Sequence, residues 1–540
     1  MDDVVLIGQT DSRDKVIKFG IKTDDRRRHL YIIGRSGSGK TTIEETLAIH
    51  DIQSGRGVAV IDPHGEFSER LLNFVPKERV QDVIYLNPAD TEHPVGFNVM
   101  ESVDFDKRHI VASSLLSIFK KIWPDVWSAR MEYIMNNTLL ALLESPDSTL
   151  LSINRMLSDK DFRKDVVNNM KDPVVKAFWV DEFARYHDRF QIEAIAPLQN
   201  KVGQFISNPL IRNIIGQKVS KLDLRDIMDN KKILIVRLST GLVGESNASL
   251  LGGLLITKLQ QAAMSRIDTP EKDRQDFFLF IDEFQNFATD SFISILSEAR
   301  KYRLNMTLAH QYIEQIPEEI QAAILGNVGS MVVFRIGARD AKILESEFEP
   351  SIEAIDLVNI PKWKFYIKLM IDGTVSSPFL ASTLPPLDLP ERTYVNEIIQ
   401  YTREHYATPK FQVEKSITDW METVAGEKVD RESNQEKDSA DTYPGVCQSC
   451  GRGINVPFKP DPNKPLYCKQ CLKKVKRPAV ASVRPAPSEP KVISAPVEKR
   501  PRLTIEKPQL KNNNFKKQLA SFLSEVIKKE ETTDETDQVG

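Results

Sequence analysis

The 540-residue chain carries 73 Lys and Arg residues against 76 Asp and Glu residues, which gives a net charge of −3. This balance excludes a protein that coats nucleic acid with an overall basic surface, so any contact with nucleic acid is expected to be local. Hydrophobic residues make up 41% of the sequence and no apolar run reaches the roughly 20 residues of a membrane-spanning helix. The polar N-terminus does not resemble a signal peptide, and we expect a cytoplasmic protein of several domains.

Seven short apolar runs, each bounded by turn residues, indicate the buried strands of a parallel sheet. They span residues 30–33, 58–61, 83–86, 233–238, 277–281, 306–309 and 331–334. Helical patterns separate most of these runs, so the sequence predicts an α/β core. Residues 101–228 contain helical periodicity with almost no β-rich run, which predicts an all-α insertion between strands.

Changes in composition along the chain divide it into six predicted segments. Residues 1–100 and 229–400 are assigned to the two parts of the core, and 101–228 to the helical insertion. Residues 401–443 are predicted to form a helix and a polar linker, and 444–474 a compact segment with all four cysteines. The Pro- and Lys-rich residues 475–540 are predicted to form a disordered tail.

Residues 34–41 fit the phosphate-loop pattern G-x-x-x-x-G-K-[ST], between a predicted strand and a predicted helix. Glycines let backbone N–H groups turn towards a phosphate, and the helix N-terminus adds its dipole. Lys40 is expected to reach the β- and γ-phosphates and the Thr41 hydroxyl to bind Mg²⁺. The predicted nucleotide-binding residues are Gly34, Arg35, Ser36, Gly37, Ser38, Gly39, Lys40, Thr41 and Thr42. The alternative is a glycine-rich turn without a ligand.

The predicted strand 277–281 leads directly into Asp282 and Glu283. Ligands of open parallel sheets bind where the strands end, so these carboxylates are expected at the nucleotide. Asp282 would hold the Mg²⁺ with its water shell, and Glu283 would polarise the attacking water as a general base. The alternative is a helix N-terminus with two solvated acids. A GTPase would need an N-K-x-D stretch, and residues 230–233 (N-K-K-I) lack its Asp, which favours ATP.

Further residues resemble the HerA/FtsK branch of P-loop motors, and within it the TraD-like coupling ATPases of conjugation and type IV secretion. The resemblance covers roughly residues 20–385 and includes Arg28-His29 before the first strand of the core, D-P-H-G-E at 62–66 and HPVGFNVM at 93–100. Gln311 stands in the place of the family's polar sensor, and Arg300 in the place of its arginine finger.

The resemblance implies a RecA-like P-loop NTPase core and a homohexamer with a central channel, in which a neighbouring subunit supplies Arg300 to the γ-phosphate. Arg335 and Arg339 are the reserve candidates for the finger, and Arg300 is alternatively a surface arginine. Asp62 and Glu66 have either a catalytic role or only a role in a turn and helix cap. The family's membrane-bound members carry N-terminal spanning helices, and no apolar run of that length stands in this sequence. We therefore expect a protein that either works free in the cytosol or docks on a membrane complex.

A motor of this kind grips the DNA backbone without reading bases, so DNA is expected as a non-specific partner. The polar, glycine-bearing residues 239–247 form either a pore loop for this contact or a surface turn.

The cysteines have the spacing C-x₂-C-x₁₇-C-x₂-C, which is typical of a zinc ribbon. Cys447, Cys450, Cys468 and Cys471 are therefore predicted to bind one structural Zn²⁺ in a closed Cys₄ site. The alternatives are a redox dithiol and a chance pair of motifs.

Beyond the cysteines, the basic and proline-rich tail is either a solvated tether or a loose nucleic-acid tether. Apolar residues at helical spacing in 514–529 predict a terminal amphipathic helix that docks on a protein partner or packs back on its own ring.

Three functions follow from these patterns. The first is an ATP-hydrolysing DNA translocase, with Lys40, Glu283, Arg300 and Gln311 as catalytic residues. The second is a secretion motor that moves protein substrates, and the third is a nucleotide switch that only scaffolds partners.

Overall fold

The computed structural model describes residues 4–12, 15–101, 103–435, 443–456, 461, 464–468 and 471. The chain divides into two compact units, Met1–Glu436 and Lys437–Gly540. The predicted tail 475–540 and its amphipathic helix at 514–529 lie outside the described residues.

The first unit is built on one large sheet and a small two-stranded sheet. The strands are β1 (Val4–Ser12), β2 (Lys15–Lys22), β3 (Leu30–Ile33), β4 (Gly57–Asp62), β5 (Val83–Leu86), β6 (Ile233–Arg237), β7 (Phe277–Ile281), β8 (Leu304–His310), β9 (Ser330–Val333), β10 (Lys364–Lys368), β11 (Met370–Ile371), β12 (Thr374–Val375) and β13 (Phe379–Ser382). The order of the large sheet is β2-β1-β13-β10-β9-β3-β8-β7-β4-β6-β5, and β11 pairs with β12.

The seven predicted runs form the parallel part of this sheet, from β9 to β5. Almost every residue of these strands is buried, because both faces of the sheet are covered. Alternate side chains of β3 enter opposite hydrophobic cores: Tyr31 packs with the helical insertion, and Ile32 packs with the helix after the phosphate loop. The prediction of an α/β fold with a parallel sheet is confirmed.

Four further strands of the large sheet were not predicted from the sequence. β1, β2, β10 and β13 extend it beyond β9 with antiparallel pairing. Few of their side chains are buried, and in K-F-Y-I-K of β10 only Phe365 and Ile367 are. Such strands lack a continuous apolar run, which is the pattern that marks a strand covered on both faces.

Helices cover the sheet and fill the interval between β5 and β6. They are α1 (Thr23–Arg26), α2 (Lys40–Gln53), α3 (Glu66–Leu72), α4 (Arg108–Ile122), α5 (Ala129–Glu144), α6 (Ser152–Ser158), α7 (Lys160–Asn169), α8 (Pro173–Ala177), α9 (Asp188–Ser207), α10 (Pro209–Ile215), α11 (Leu224–Asp229), α12 (Thr240–Val243), α13 (Glu245–Ser265), α14 (Ser291–Glu298), α15 (Glu318–Asn327), α16 (Ala338–Phe348), α17 (Ala354–Val358), α18 (Val395–His405) and α19 (Lys410–Gln435). No helix of the described chain has an apolar stretch long enough to cross a membrane.

The described residues between β5 and β6 contain the helices α4 to α11 and no strand. Side-chain caps begin several of these helices, because an Asp, Asn or Ser oxygen accepts a hydrogen bond from a free N–H of the first turn. The capping residues are Ser128, Asp159, Asp172, Asn208 and Asp223. Proline follows the cap of α8 and α10, where its missing N–H costs no hydrogen bond.

Two segments differ from their sequence-based interpretation. The candidate pore loop 239–247 contains the short helix α12 and the first residues of α13 rather than an extended loop. Residues 426–435 are polar and lie in the segment predicted to form a helix and a polar linker, but they continue helix α19. Their Glu and Lys residues have good intrinsic helix propensity, so a polar composition did not exclude a helix.

In the second unit, β14 (Tyr443–Val446) and β15 (Gly453–Val456) form an antiparallel hairpin.

Candidate nucleotide site and candidate metal centre

The phosphate loop lies at the C-terminal end of β3, between β8 and β9. The Gly34 N–H donates to the His310 carbonyl at 3.2 Å, and the Arg35 N–H donates to the Arg335 carbonyl at 3.0 Å. Glycine is required at position 34, because a Cβ there would lie 2.4 Å from the Cβ of Phe334. The neighbouring strands therefore fix the loop from both sides.

Several polar groups of the loop point inward and keep hydrogen-bonding capacity that their neighbours do not use. The Lys40 ammonium donates to the Gly34 carbonyl at 2.8 Å and is buried. The buried Ser38 hydroxyl has no hydrogen-bond partner within the described chain. The first N–H groups of α2 have no acceptor inside the helix. A bound phosphate chain would supply the missing acceptors, so these residues fit a nucleotide.

Asp282 and Glu283 follow β7, two strands from β3 in the sheet, at the edge that carries the phosphate loop. Burial, followed by the charges of Glu283 and Asp62, raises the pKa of Asp282 to about 6, while the Lys40 charge lowers it. The fold therefore brings Lys40 and Asp282 together, although they are far apart in the sequence. A carboxylate in this position, together with the Thr41 hydroxyl, has the donor chemistry that Mg²⁺ prefers.

Glu283 is held by amide donors on both carboxylate oxygens. Gln311 Nε2 donates to Oε1 at 2.6 Å, and Gln285 Nε2 donates to Oε2 at 2.7 Å. The Nε2 atom of His64 lies 3.9 Å from Oε1, an ion-pair distance, and this contact raises the pKa of His64. Burial alone would raise the pKa of Glu283, but His64 and the two amides hold it at about 2.

A carboxylate with a pKa of about 2 is ionised throughout the physiological range. It is a weak base, because general-base catalysis is most efficient when the pKa of the base lies near the working pH. In this arrangement Glu283 is therefore better suited to orienting and polarising the attacking water than to removing a proton from that water.

Asp62 has a structural role in the turn between β4 and α3. Its carboxylate accepts hydrogen bonds from the N–H groups of His64, Gly65 and Ser68, each at 2.8 Å. It thereby forms the turn and caps α3, the second of its two sequence-based interpretations. Glu66 is the first residue of α3 and is exposed.

Arg300 lies at the opposite end of β8 from Gln311. It is exposed in the turn after α14, on the side where β8 begins. The seven residues of β8 separate the two ends by about 20 Å or more. Of the two reserve arginines, Arg335 is exposed beside the phosphate loop, and Arg339 forms a 3.6 Å ion pair with Glu314.

Sequence reasoning missed Glu44, which points into the same site from α2. Its carboxyl group is fully buried, and neither oxygen has a hydrogen-bond partner among the described residues. Burial and then the charge of Asp282 raise its pKa well above the usual value, although Lys40 opposes them. The sequence could have indicated this position, because residues four apart share a face of a helix and Glu44 is four residues after Lys40.

The Glu44→Gln variant is expected to be stabilised relative to the wild type as pH rises. A carboxyl group with a raised folded-state pKa costs folding free energy once pH exceeds its unfolded pKa, and the cost grows until the folded-state pKa is passed. The difference in apparent Tm between variant and wild type, measured without nucleotide, should therefore increase as pH rises above the ordinary pKa of Glu, about 4.3. Glu66→Gln, which alters an exposed carboxylate, is the control. A difference that stays constant with pH would contradict the assignment.

The four cysteines of the second unit form a compact cluster. Their sulfur atoms all lie within 4.8 Å of one another. The backbone N–H of Cys468 donates to Cys447 Sγ at 3.2 Å, and this bond is the largest of those that lower the pKa of Cys447 to about 6. Gly451 has φ of +69° and donates its N–H to the Cys447 carbonyl, which closes the turn of the first Cys-x-x-Cys pair. Four thiolates at this separation fit a tetrahedral Zn²⁺.

Removal of zinc is expected to unfold the described part of the second unit. A hairpin with four residues in each strand buries too little apolar surface to fold unaided. The purified protein should contain about one zinc per chain, and Cys468→Ser should lose the zinc and be cleaved rapidly by protease within 443–471. The control is Gln448→Ala, an exposed residue between two of the cysteines. A wild-type protein without zinc would contradict the assignment.

Comparison with known families decides the relationship of the first unit. A family described as the type IV secretion-system coupling protein DNA-binding domain matches residues 15–348. The chain belongs to this family. The sequence-based resemblance to coupling ATPases of type IV secretion is thereby confirmed. No curated protein matches the sequence.

Solved structures of coupling proteins share the fold. The bacterial conjugative coupling protein TrwBdeltaN70 in an unbound form is 16% identical with a TM-score of 0.52, over 70% of this chain and 89% of that one. The plasmid coupling protein TrwB in complex with ADP and Mg²⁺ is 15% identical with a TM-score of 0.50, over 70% and 90% of the two chains. The same protein in complex with a non-hydrolysable ATP analogue is 16% identical with a TM-score of 0.50, over 69% of this chain and 88% of that one. At these identities the likeness shows a P-loop NTPase fold common to the coupling family.

The cysteine segment matches a second family, described as "Probable treble clef zinc finger", over residues 441–476. The predicted zinc site is confirmed, and the matching class is a treble clef where the spacing alone indicated a ribbon.

Proposed function

We propose that this chain is an ATP-hydrolysing coupling motor that moves DNA in conjugation or type IV secretion. The observation that carries the proposal is the convergence of Lys40, Asp282 and Glu283 at one sheet edge, in a chain of the coupling-protein DNA-binding family. The related TrwB structures with an ATP analogue and with ADP and Mg²⁺ support ATP and Mg²⁺ as ligands here.

Each residue of the site has a distinct role in the proposal. Residues 34–42 bind the phosphates through backbone N–H groups, and Lys40 exchanges its bond to the Gly34 carbonyl for the β- and γ-phosphates. Thr41 and Asp282 hold Mg²⁺, which neutralises charge on the phosphates when bound. Glu283 orients the attacking water.

Gln311 connects the nucleotide state to the rest of the sheet. Its amide donates to Glu283 and it directly follows β8, whose last residue bonds to the phosphate loop through the His310 carbonyl. A change at the γ-phosphate would therefore be transmitted through Glu283 and Gln311 to β8, whose other end lies next to Arg300.

The position of Arg300 supports a ring of identical subunits, which we take to be a hexamer. An exposed arginine about 20 Å from its own site acts on γ-phosphate only if a neighbouring subunit presents it. Such a finger makes hydrolysis in one subunit depend on the next, which couples the subunits around the ring. The DNA would pass through the centre and be held by its phosphate backbone.

A protein of this function works in the cytoplasm, where reduced thiolates favour a zinc centre over disulfides. A membrane complex is the proposed docking partner, and residues 514–529 are proposed to contact a protein partner or the ring itself.

The test is ATP turnover by the full-length protein with no DNA, with single-stranded DNA and with duplex DNA. We expect DNA to raise the turnover of the wild type and Lys40→Ala to abolish it. Lys301→Ala, an exposed lysine near the start of β8, is the matched control. Wild-type protein without ATP turnover would overturn the enzyme assignment. Turnover that a protein substrate raises and DNA does not would favour the protein-secretion motor instead.

A further inference from the structure

We propose that Trp363 stacks on the purine base of the bound nucleotide. The inference rests on the proposed function, since it extends the same nucleotide site from the phosphates to the base. Nothing in the sequence indicated this residue, because it lies more than 320 positions after the phosphate loop.

The strand order determines on which side of the loop the base must lie. β3 carries the phosphate loop, and the carboxylates that face the γ-phosphate follow β7, two strands to one side. The base end of the nucleotide therefore points to the other side, towards β9 and β10. β10 is antiparallel to β9, so its first residues lie at the edge where the phosphate loop lies. Trp363 immediately precedes β10.

Hydrogen bonds fix Trp363 directly against the phosphate loop. Its N–H donates to the Ser38 carbonyl at 3.2 Å, and its own carbonyl accepts from the Thr383 N–H at 2.9 Å. The indole Cε3 lies 3.2 Å from the position that a Cβ on Gly39 would take. Gly39, with φ of +125°, is the residue before Lys40, so the indole adjoins the beginning of α2.

The backbone of Trp363 is strained, which indicates a constraint beyond packing. Its φ is +68°, a left-handed conformation that is unusual for a bulky residue. Strained conformations of this kind cluster at ligand sites, where the surrounding structure holds them in place. Here the strain turns a tryptophan towards solvent, since its exposed fraction is 42%. The ammonium of Lys362 lies over the ring, 4.7 Å from the ring centroid.

An exposed indole beside the phosphates offers a flat apolar surface to a base. Stacking on an aromatic ring tolerates any base, because every base has a π face. The site should therefore hold ATP and GTP with similar affinity and bind a base-free triphosphate more weakly.

The experiment compares Mg²⁺-ATP with Mg²⁺-tripolyphosphate, which has the phosphates but no base, on full-length protein. Trp363→Ala is expected to weaken ATP binding about 5- to 150-fold and to leave tripolyphosphate binding unchanged, while Trp363→Phe keeps most of the ATP affinity. ATP, but not tripolyphosphate, should quench the intrinsic fluorescence of the wild type, and Trp363→Phe should lose that quenching. Trp420→Phe, which alters a tryptophan on α19, is the control.

Unchanged ATP binding by Trp363→Ala would overturn the proposal, and so would an equal loss for ATP and tripolyphosphate, which would indicate a damaged phosphate loop. The outcome is separable from that of the motor assignment. Trp363-dependent ATP binding without DNA-stimulated turnover would retain the stacking and reject the motor. DNA-stimulated turnover of the wild type, together with unchanged ATP binding by Trp363→Ala, would retain the motor and reject the stacking.

Discussion

The Glu283→Gln variant is expected to bind ATP with nearly wild-type affinity and to hydrolyse it at least about 100-fold more slowly. The substitution keeps the size of the side chain and removes the charge that orients the attacking water. Lys40, Thr41 and Asp282 remain to bind the phosphates and Mg²⁺. A 100-fold loss corresponds to about 2.7 kcal/mol of transition-state stabilisation. Single-turnover hydrolysis and equilibrium ATP binding, measured on the same preparation, separate the two effects.

Gln285→Ala is the matched control for this variant. It removes the amide that bonds to Glu283 Oε2 and leaves the carboxylate and the Gln311 bond in place. We expect a smaller loss, of roughly tenfold, because one hydrogen bond to a charged group is worth about 1.5 kcal/mol or somewhat more. If Glu283→Gln hydrolysed ATP as fast as the control, Glu283 would not be the water-orienting residue.

The Arg300→Ala variant is expected to lose about a thousandfold or more in ATP turnover, the effect of removing an arginine finger. Its own phosphate loop stays intact, because Arg300 lies at the far end of β8. A Lys40→Ala subunit has the opposite defect, since it lacks a working loop and keeps its arginine. Mixing the two inactive variants should restore activity at about a quarter of the interfaces in a random ring, where an intact loop faces an intact finger.

Arg189→Ala serves as the control, since Arg189 is an exposed arginine of α9 that pairs with Glu193. It should retain wild-type turnover alone and show no gain on mixing. Absence of any recovery in the mixture of Arg300→Ala and Lys40→Ala would exclude a finger in trans at Arg300. Loss of activity in Arg335→Ala would then point to the exposed arginine beside the phosphate loop.

The parts of the molecule that local pattern controls could be predicted from the sequence. β3, β4 and β7 are buried on both faces, so their residues are continuously apolar and stand out. The cysteine pairs are likewise local, because each Cys-x-x-Cys turn presents two thiolates by itself. In contrast, β10 and β13 are only partly buried, so no continuous apolar run marks them.

The parts that depend on contacts between distant segments could not be predicted. His64 was visible as part of D-P-H-G-E, but its contact with Glu283 arises only because β4 and β7 are neighbours in the sheet. Trp363 belongs to a strand that the sequence did not reveal, so its contact with the phosphate loop was equally hidden. Gln311 is the exception, since the order of motifs in a known family indicated a residue that the fold places 2.6 Å from Glu283.

Electron microscopy of the full-length protein with a non-hydrolysable ATP analogue, Mg²⁺ and duplex DNA would show whether the subunits form a ring on DNA. We expect a closed ring with duplex in its channel, and nucleotide between Lys40 and Asp282 of one subunit and Arg300 of its neighbour. Single subunits that bind nucleotide without assembling on DNA, or a site in which Lys40 and Asp282 hold no nucleotide between them, would contradict it.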